Sequence, residues 1–323
     1  IENDSHIIFP TICHNPHSEE ASMKLYYYKN THIFTCYTEC DNMNIFQFLR
    51  HYYKTRGITY DWYEDIYSVV LNCSVSKDFE GLVDSRVTYK ERFASRSHRE
   101  LPEYPAGVLD LFTKFYPTEW LNDGISKETM DKFNILYSIS QNKIIIPHYD
   151  VDGNLIGIRK RSYDPLELDR GMKYSPCWIG QTMYNSPLGA HLYGLDKVKN
   201  NIQKMRKVCI VESEKSCLLS ETFFPGSSFT VATCGSSGLS DAQLQLLFDL
   251  QVREIIVAYD KENGESREDE ETISYEEKLI RLFQPLTPYF DVYIIFDYEG
   301  VLRFKDSPFD QGKDVLLHLM KNK

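Results

Sequence analysis

Acidic residues follow hydrophobic, β-like runs in the last third of this 323-residue chain. Glu212 comes directly after one run, Asp260 and Glu262 end another, and Asp306 and Asp310 follow the last. If these runs form neighbouring parallel strands, the carboxylates meet at the carboxyl edge of the sheet, where ligands bind in such folds. Carboxylates held close together repel one another and raise each other's pKa, so we expect them to hold Mg²⁺ or Mn²⁺.

An ordinary role is the alternative for these acids, because most Asp and Glu residues are solvated loop residues or helix caps. That alternative suits Glu262 best, since the segment 265–271 that follows it is strongly acidic. Glu212 and Asp260 instead follow the apolar runs VCIV and IIVAY. The repeated pattern favours a binding site at these two positions.

Cysteines and histidines form two close pairs near the start of the chain. Cys13 and His17 form the first pair, Cys36 and Cys40 form the second, and a tyrosine-rich, β-like segment lies between them. Two such pairs on tight turns form a tetrahedral cage, and Cys with His selects zinc. His14 is disfavoured as a ligand because it is adjacent to Cys13. Ordinary surface cysteines and histidines are the alternative.

Charge is unevenly distributed along the chain, whose net charge is −11. Residues 157–207 hold ten Lys and Arg against four Asp and Glu, whereas residues 260–277 hold nine acids against two bases. A basic strip beside an acidic cluster suits a polyanion that is guided toward metal ions. Within the strip, the two-residue period of a β-strand places Arg159 and Arg161 on one face and Lys160 on the other.

The order of the segments predicts the elements that position these residues. From residue 207 onward, strand-like and helix-like runs alternate, which predicts a parallel sheet covered on both faces. Before it, amphipathic helices lead into a hairpin that turns at Asp152 and Gly153. We therefore predict an α/β and α+β multidomain chain with four segments: a small zinc-ribbon-like β domain at 1–75, a linker at 76–105, a mixed α+β subdomain at 106–206 and a doubly wound parallel sheet at 207–323.

The motifs of the last segment occur in a recognisable order: VESEKS, ATCGSSGLSDAQL, VAYDKE and KDSPFDQGKDVLLHLM. This order resembles the Toprim domain, the metal-binding catalytic module of bacterial primases, topoisomerases and some nucleases. The sequence departs from the family at Glu262, where Asp is usual, and at Ser216, where an acid is usual. The second departure leaves Glu214 as a possible substitute for that acid. Aligning the last motif by its helix places Asp306 at the metal-facing position, with Asp310 as a weaker candidate.

Two further segments extend the resemblance to most of the chain except roughly residues 60–100. CHNPHSEEASMKL and CYTEC resemble the CHC2 zinc-binding domain of bacterial primases, with one extra residue inside each ligand pair. GNLIGIRKRS and GMKYSP resemble the subdomain that precedes Toprim in DnaG-type primases. The resemblance implies that four basic residues bind phosphates of nucleotide or template: Arg159, Arg161, Lys173 and Lys215.

The whole chain thus resembles a compact DnaG-type DNA primase, an enzyme that synthesises short RNA primers on single-stranded DNA. The resemblance implies ribonucleoside triphosphates as substrates, a structural Zn²⁺ and a separate replicative helicase as partner, since the sequence stops at the last Toprim helix. It also implies catalytic Mg²⁺ or Mn²⁺ held by four acids: Glu212, Asp260, Glu262 and Asp306.

Alternatives remain at the level of function. A Toprim nuclease or topoisomerase-like enzyme would use the same acids to cut a nucleic-acid backbone, and a non-catalytic scaffold would bind single-stranded DNA and recruit a helicase. The tyrosines at 26–28 either stack on template bases or pack on their own zinc domain. No stretch is apolar enough for a membrane span and no signal pattern is present, so we expect a cytoplasmic protein with reduced cysteines.

Overall fold

A computed structural model describes residues 1–16, 21–59, 101–235, 238–262, 264, 269–287 and 289–322. The chain divides into two compact units, the first comprising Ile1–Glu91 with Pro285–Asp291 and the second comprising Arg92–Gln284 with Val292–Lys323. Within the described ranges, no helix has both the length and the hydropathy needed to traverse a bilayer. Most of the predicted linker at 76–105 lies outside the described residues.

The first unit is built on an antiparallel four-stranded sheet and one helix. Asn44 starts the helix because its side chain accepts from the Gln47 amide while the Gln47 side chain accepts from the Asn44 amide. Phe48 of the helix stacks on Phe34 of the sheet with ring centroids 4.5 Å apart, next to buried Leu25. The elements, with strands in spatial order 1-2-3-4, are β1 (His6–Phe9), β2 (Leu25–Tyr28), β3 (Ile33–Cys36), β4 (Asp41–Met43) and α1 (Ile45–Thr55).

The second unit begins with an antiparallel five-stranded sheet. Its central hairpin turns at Asp152 and Gly153 as predicted, and Gly153 supplies the positive φ of 91° that the turn requires. The strands, in spatial order 5-6-7-8-9, are β5 (Leu136–Ser138), β6 (Lys143–Tyr149), β7 (Leu155–Arg161), β8 (Tyr174–Ile179) and β9 (Thr182–Tyr184). The accompanying helices are α2 (Thr118–Asn122), α3 (Lys127–Lys132), α4 (Pro165–Asp169) and α5 (Leu195–Met205).

A second sheet follows in the same unit, and one of its strands pairs in parallel with both neighbours. Strand β10 (Lys207–Val211) pairs in parallel with β11 (Thr230–Ala232) and with β12 (Glu254–Val257), and β13 (Asp291–Ile294) lies beside β12. Val208 to Val211 are all buried, so both faces of the sheet are covered, which confirms the predicted fold class. The helices are α6 (Glu214–Phe223), α7 (Asp241–Asp249), α8 (Glu270–Phe283) and α9 (Lys313–Leu319).

Both sheets of the second unit contribute to one hydrophobic core. Trp120 and Ile146, from the antiparallel part, lie in the same cluster as Val211, Ala258 and Phe309 from the parallel part. Burial of these side chains stabilises the two parts together. The segments predicted at 106–206 and 207–323 therefore lie in a single compact unit, each with its own sheet.

Candidate metal centres and anion-binding face

Four potential metal ligands meet in the first unit, and we call them the thiol cluster: Cys13, His14, Cys36 and Cys40. Cys36 ends β3, Cys40 lies in the turn before β4, and Cys13 and His14 lie in the turn after β1. His14 Nδ1 is 3.4 Å from Cys13 Sγ, 3.6 Å from Cys36 Sγ and 3.4 Å from Cys40 Sγ. Zinc bonds of about 2.0 Å to nitrogen and 2.3 Å to sulfur place tetrahedral N and S ligands about 3.5 Å apart, so the cluster fits zinc.

The histidine of this cluster differs from the one we predicted. His17 lies outside the described residues, whereas His14 reaches the three thiols although it is adjacent to Cys13. The argument from adjacency was therefore wrong for this turn, in which the amide of His14 donates to the Thr11 carbonyl at 3.3 Å. His14 Nε2 contacts the Thr38 hydroxyl at 3.4 Å, which orients the ring as outer partners do in metal sites.

The electrostatics of Cys36 also suit a metal-binding thiolate. Burial acts to raise the pKa of this thiol, but hydrogen bonds from the backbone amides of Thr38, Glu39 and Cys40 and from the Thr38 hydroxyl lower it to about 6. Cys36 is therefore largely ionised at neutral pH, as zinc ligation requires. The donor set and the spacing together fit a closed structural zinc site.

Tyrosines of β2 lie on both faces of the first unit's sheet. Tyr27 packs toward the core, with its ring centroid 4.8 Å from that of Phe34. Tyr26 and Tyr28 lie on the opposite face, where their rings stack with centroids 6.2 Å apart. The aromatic face consists of these two residues with His6 and the exposed Tyr37, whose hydroxyl is 2.7 Å from that of Tyr28.

Carboxylates from distant parts of the second unit meet beyond the parallel strands, and we call Glu212, Asp260 and Asp310 the acid site. Burial, then the charges of Glu212 and Asp310, raise the pKa of Asp260 to about 7. The backbone amide of Asp260 donates to the Glu212 carboxylate, whose own pKa is raised by burial and by Glu262. Asp260 Oδ1 is buried without a hydrogen-bond partner in the described part of the chain, which suits a ligand there. The three carboxylates are not among the groups of described residues whose donor atoms all lie within 4.8 Å of one another, so binding of a divalent cation by them stays a prediction.

The structure places the other two predicted acids less favourably. Asp306 accepts from the amide of Arg303 at 3.1 Å and from the Gln311 side chain. Asp310, the weaker candidate by sequence, acts on the pKa of Asp260. Glu262 is ion-paired through both carboxylate oxygens, one to Lys278 and the other to Lys305. Metal binding by Asp306 and Glu262 stays a prediction.

Two arginines and a tyrosine form the core of the basic face, which we define as Arg159, Arg161, Lys173 and Tyr174. The guanidinium groups of Arg159 and Arg161 each lie 5.0 Å from the centre of the Tyr174 ring, so both point to one side of β7. Lys160 points away and donates to Gln141 at 3.2 Å. The two-residue period thus predicted the arrangement correctly. Lys173 lies close enough to Asp260 to oppose the rise of its pKa.

Arg161 is the most unusual residue of this face. Arg161 is only 6% exposed, and its guanidinium contacts the hydroxyl of Tyr174 and the ring of Tyr163. Its Nε atom is buried without a hydrogen-bond partner, and no carboxylate among the described residues pairs with it. Buried charges in proteins are normally paired. Among the described residues, the charge of this guanidinium is offset by aromatic and hydroxyl contacts alone, which suits an anionic ligand.

Lys215, the fourth predicted phosphate ligand, is held between carboxylates. Its ammonium group donates to Asp310 at 2.8 Å and pairs with Asp123 at 3.0 Å. These contacts raise the pKa of Lys215 against the effect of burial. Lys215 therefore offsets the charge of the acid site, and phosphate binding by it stays a prediction.

Sequence reasoning missed a buried polar array beside the basic face. His148 of β6 and His191 are 2.8 Å apart, Nδ1 to Nε2, and His148 Nε2 lies 3.3 Å from Oε1 of Glu214. The same carboxylate oxygen accepts from Arg159 Nη1 at 2.5 Å. A histidine inside the apolar strand IIIPHY was the available signal, because a buried imidazole requires polar partners.

Comparison with known proteins identifies relatives of the chain. Residues 111–261 match a family described as Domain of unknown function (DUF6371). The SPbeta prophage-derived uncharacterized protein YorJ of Bacillus subtilis (strain 168) is 37% identical over 338 aligned positions, which cover 98% of this chain and 88% of YorJ. The chain belongs to the YorJ family.

Solved structures similar to this YorJ-family chain include primases at low identity. The DnaG primase catalytic domain bound to single-stranded DNA has a TM-score of 0.48 and 16% identity, over 73% of this chain and 80% of that one. The zinc-binding and RNA polymerase domains of the Aquifex aeolicus primase have a TM-score of 0.40 and 18% identity, over 100% and 80%.

Proposed function

We propose that this YorJ-family chain is a primase-like nucleotidyltransferase that makes RNA primers on single-stranded DNA. The observation that carries the proposal is the buried Arg161, which has no carboxylate partner among the described residues. Arg161 shares its face with Lys173, a cation close to the acid site. An unpaired buried charge destabilises a fold, so its presence favours an anionic ligand. Phosphates of nucleotide and template are anions of this kind, and an adjacent divalent-cation site suits their transfer.

The residues of the second unit then have separate roles. Arg159, Arg161 and Lys173 bind phosphate oxygens, and the Tyr174 ring contacts both guanidinium groups. The acid site holds Mg²⁺ or Mn²⁺. A divalent cation bound there would neutralise charge on the phosphoryl group that is transferred. Lys215 keeps Asp310 oriented toward the acid site.

In this proposal, the first unit contributes to the activity by binding zinc and single-stranded DNA. Zinc in the thiol cluster would stabilise a unit whose hydrophobic core is small. The aromatic face presents Tyr26, Tyr28 and Tyr37 for stacking on unpaired bases, which tolerates any sequence. We extend the proposal to ribonucleoside triphosphates as substrates, a separate replicative helicase as partner and the cytoplasm as location.

A primer-synthesis assay tests the proposal. The purified, zinc-loaded chain is incubated with single-stranded DNA, labelled ribonucleotides and Mg²⁺ or Mn²⁺, and template-dependent oligoribonucleotides are expected. Asp260→Asn should abolish them, whereas the exposed Asp249→Asn, a matched change in the same unit, should not. Shortened template lost in Asp260→Asn would support the nuclease instead. Binding of DNA without any product would support the scaffold.

A further inference from the structure

The buried array beside the basic face centres on one carboxylate. Glu214, the first residue of α6, is 1% exposed, and three side chains surround its carboxylate: Arg159 Nη1 at 2.5 Å, His148 Nε2 at 3.3 Å and the thiol of Cys234. The Arg159 guanidinium acts to lower the pKa of Glu214 to about 2, against the effect of burial. Glu214 is therefore an ionised carboxylate that water does not reach.

The histidines that flank this carboxylate are themselves fixed. His191 Nδ1 lies 3.1 Å from the Pro187 carbonyl, and the Ser186 hydroxyl lies 3.4 Å from His148 and 3.3 Å from His191. Gly157 of β7 admits this segment, because a Cβ there would lie only 2.4 Å from Ser186 Cβ. The histidine pair thus links β6 to the 186–191 segment, and His148 packs against Glu214.

A further metal site is the alternative interpretation of the residues around Glu214. Ligand atoms of His148, Glu214 and Cys234 all lie within 4.8 Å of one another. The Arg159 guanidinium, however, contacts the Glu214 oxygen nearest to His148, so a cation placed there would meet a cation. Burial also raises the pKa of the Cys234 thiol well above its ordinary value, which keeps it protonated. His148 Nε2 has no hydrogen-bond partner among the described residues, and its contact with Glu214 is one of packing at 3.3 Å. The contacts therefore favour an ion pair of Glu214 with Arg159 over a metal site.

The array occupies only one edge of Arg159. In the described part of the chain, Nη1 is the sole Arg159 atom that donates a hydrogen bond, to Glu214 and to the Cys234 carbonyl at 3.2 Å. Nη2 and Nε remain for another ligand, and the side chain is 13% exposed. A guanidinium held by one edge presents the other for two parallel hydrogen bonds to a phosphate.

We infer that Glu214 is a positioning residue, which the histidine pair His148–His191 holds in place so that Arg159 presents its free edge to a phosphate of nucleotide or template. The inference rests on the proposed function for the identity of the phosphate. The positioning itself is a property of the chain alone.

Protein labelled with ¹⁵N-arginine allows both the positioning of Arg159 and its binding of phosphate to be measured. In the wild type, ¹⁵N NMR should show slow rotation of the Arg159 guanidinium, and Glu214→Gln should make it fast. Glu214→Gln should also weaken ATP binding in the presence of Mg²⁺, measured by calorimetry, about 10-fold, the lower end for a charge-assisted hydrogen bond. The rise in melting temperature caused by Mg²⁺ alone should stay unchanged, because the acid site is intact.

Two further variants keep the test decisive. Glu221→Gln is the matched control, since Glu221 is another buried glutamate of α6 paired with a cation, Lys132, at 2.8 Å. It should leave Arg159 rotation and ATP binding unchanged. If Glu214→Gln does not fold, His148→Gln replaces it, with a smaller release of Arg159 expected.

Each outcome has a distinct meaning. Slow Arg159 rotation in both folded variants would overturn the positioning role. Loss of a bound metal equivalent in His148→Gln, measured by mass spectrometry, would overturn it in favour of the metal site. Released rotation together with no ATP binding by the wild type would leave the positioning intact and contradict the proposed function.

Discussion

The thiol cluster and the acid site are both candidate metal centres, but their ligands are held in different ways. In the thiol cluster, donor atoms already lie at zinc spacing, and backbone amides stabilise the Cys36 thiolate. In the acid site, Asp260 resists ionisation, and Lys215 pairs with Asp310. The first arrangement suits a permanent structural ion. The second suits an ion that enters and leaves with a charged substrate.

Removing the thiol cluster should have the largest effect. Cys36→Ser should release zinc and unfold the first unit, because structural zinc contributes apparent binding free energy of the order of 10 kcal/mol in small domains. Circular dichroism with zinc analysis measures both. Cys177→Ala, a change to a buried cysteine of the second unit, is the control and should keep its zinc. A folded first unit without zinc would remove the distinction between the two sites.

Replacing Arg161 should have opposite effects on activity and on stability. Arg161→Met should reduce primer synthesis by about 100-fold, as loss of a preorganised donor does. It should also leave the melting temperature unchanged or raise it, because an unpaired buried charge is replaced by an apolar side chain of similar length. Lys160→Met, on the other face of β7, is the control and should change neither. A large drop in stability for Arg161→Met would show that the guanidinium is structural.

The aromatic face should have a moderate effect on DNA binding. Tyr26→Ala should weaken binding of single-stranded DNA by about 1 kcal/mol, roughly 5-fold, if one base stacks there. Fluorescence anisotropy measures the affinity. Tyr53→Phe in α1 keeps the ring and should have no such effect. Equal affinities for wild type and Tyr26→Ala would contradict base stacking on this face.

The pH dependence of stability should be the smallest effect. The folded chain raises the pKa of Asp260 from 3.8 to about 7, so it retains a proton that the unfolded chain releases. This stabilisation is full below about pH 4 and is lost as pH rises through 7. Without Mg²⁺, the melting temperature should fall by a few degrees between pH 5.5 and 8, and Mg²⁺ should restore it at pH 8. Asp260→Asn should show neither change.

Local patterns predicted what depends on neighbouring residues in the chain. The alternation of strands and helices predicted the parallel sheet, and the two-residue period placed Arg159 and Arg161 around Tyr174. Glu212 and Asp260 came together because the ends of parallel strands meet at one edge. The hairpin at Gly153 followed from its turn residues.

The conformations of turns and the contacts between residues far apart in the sequence were not predicted. The turn that brings His14 to three thiols depends on backbone dihedrals, which residue spacing does not specify. The different surroundings of Asp306 and Asp310 depend on a turn before α9, and aligning the motif by its helix could not show them. The Glu214 array joins residues far apart in sequence, so only the fold reveals it.

The most direct test of the acid site is Mn²⁺ binding by the zinc-loaded chain, measured by electron paramagnetic resonance at pH 8. Wild type should bind Mn²⁺, Asp260→Asn and Asp310→Asn should lose most of this binding, and Asp306→Asn should retain it. Undiminished binding in Asp260→Asn would contradict a divalent-cation site at the carboxyl edge of the parallel sheet, and with it the proposed nucleotidyl transfer.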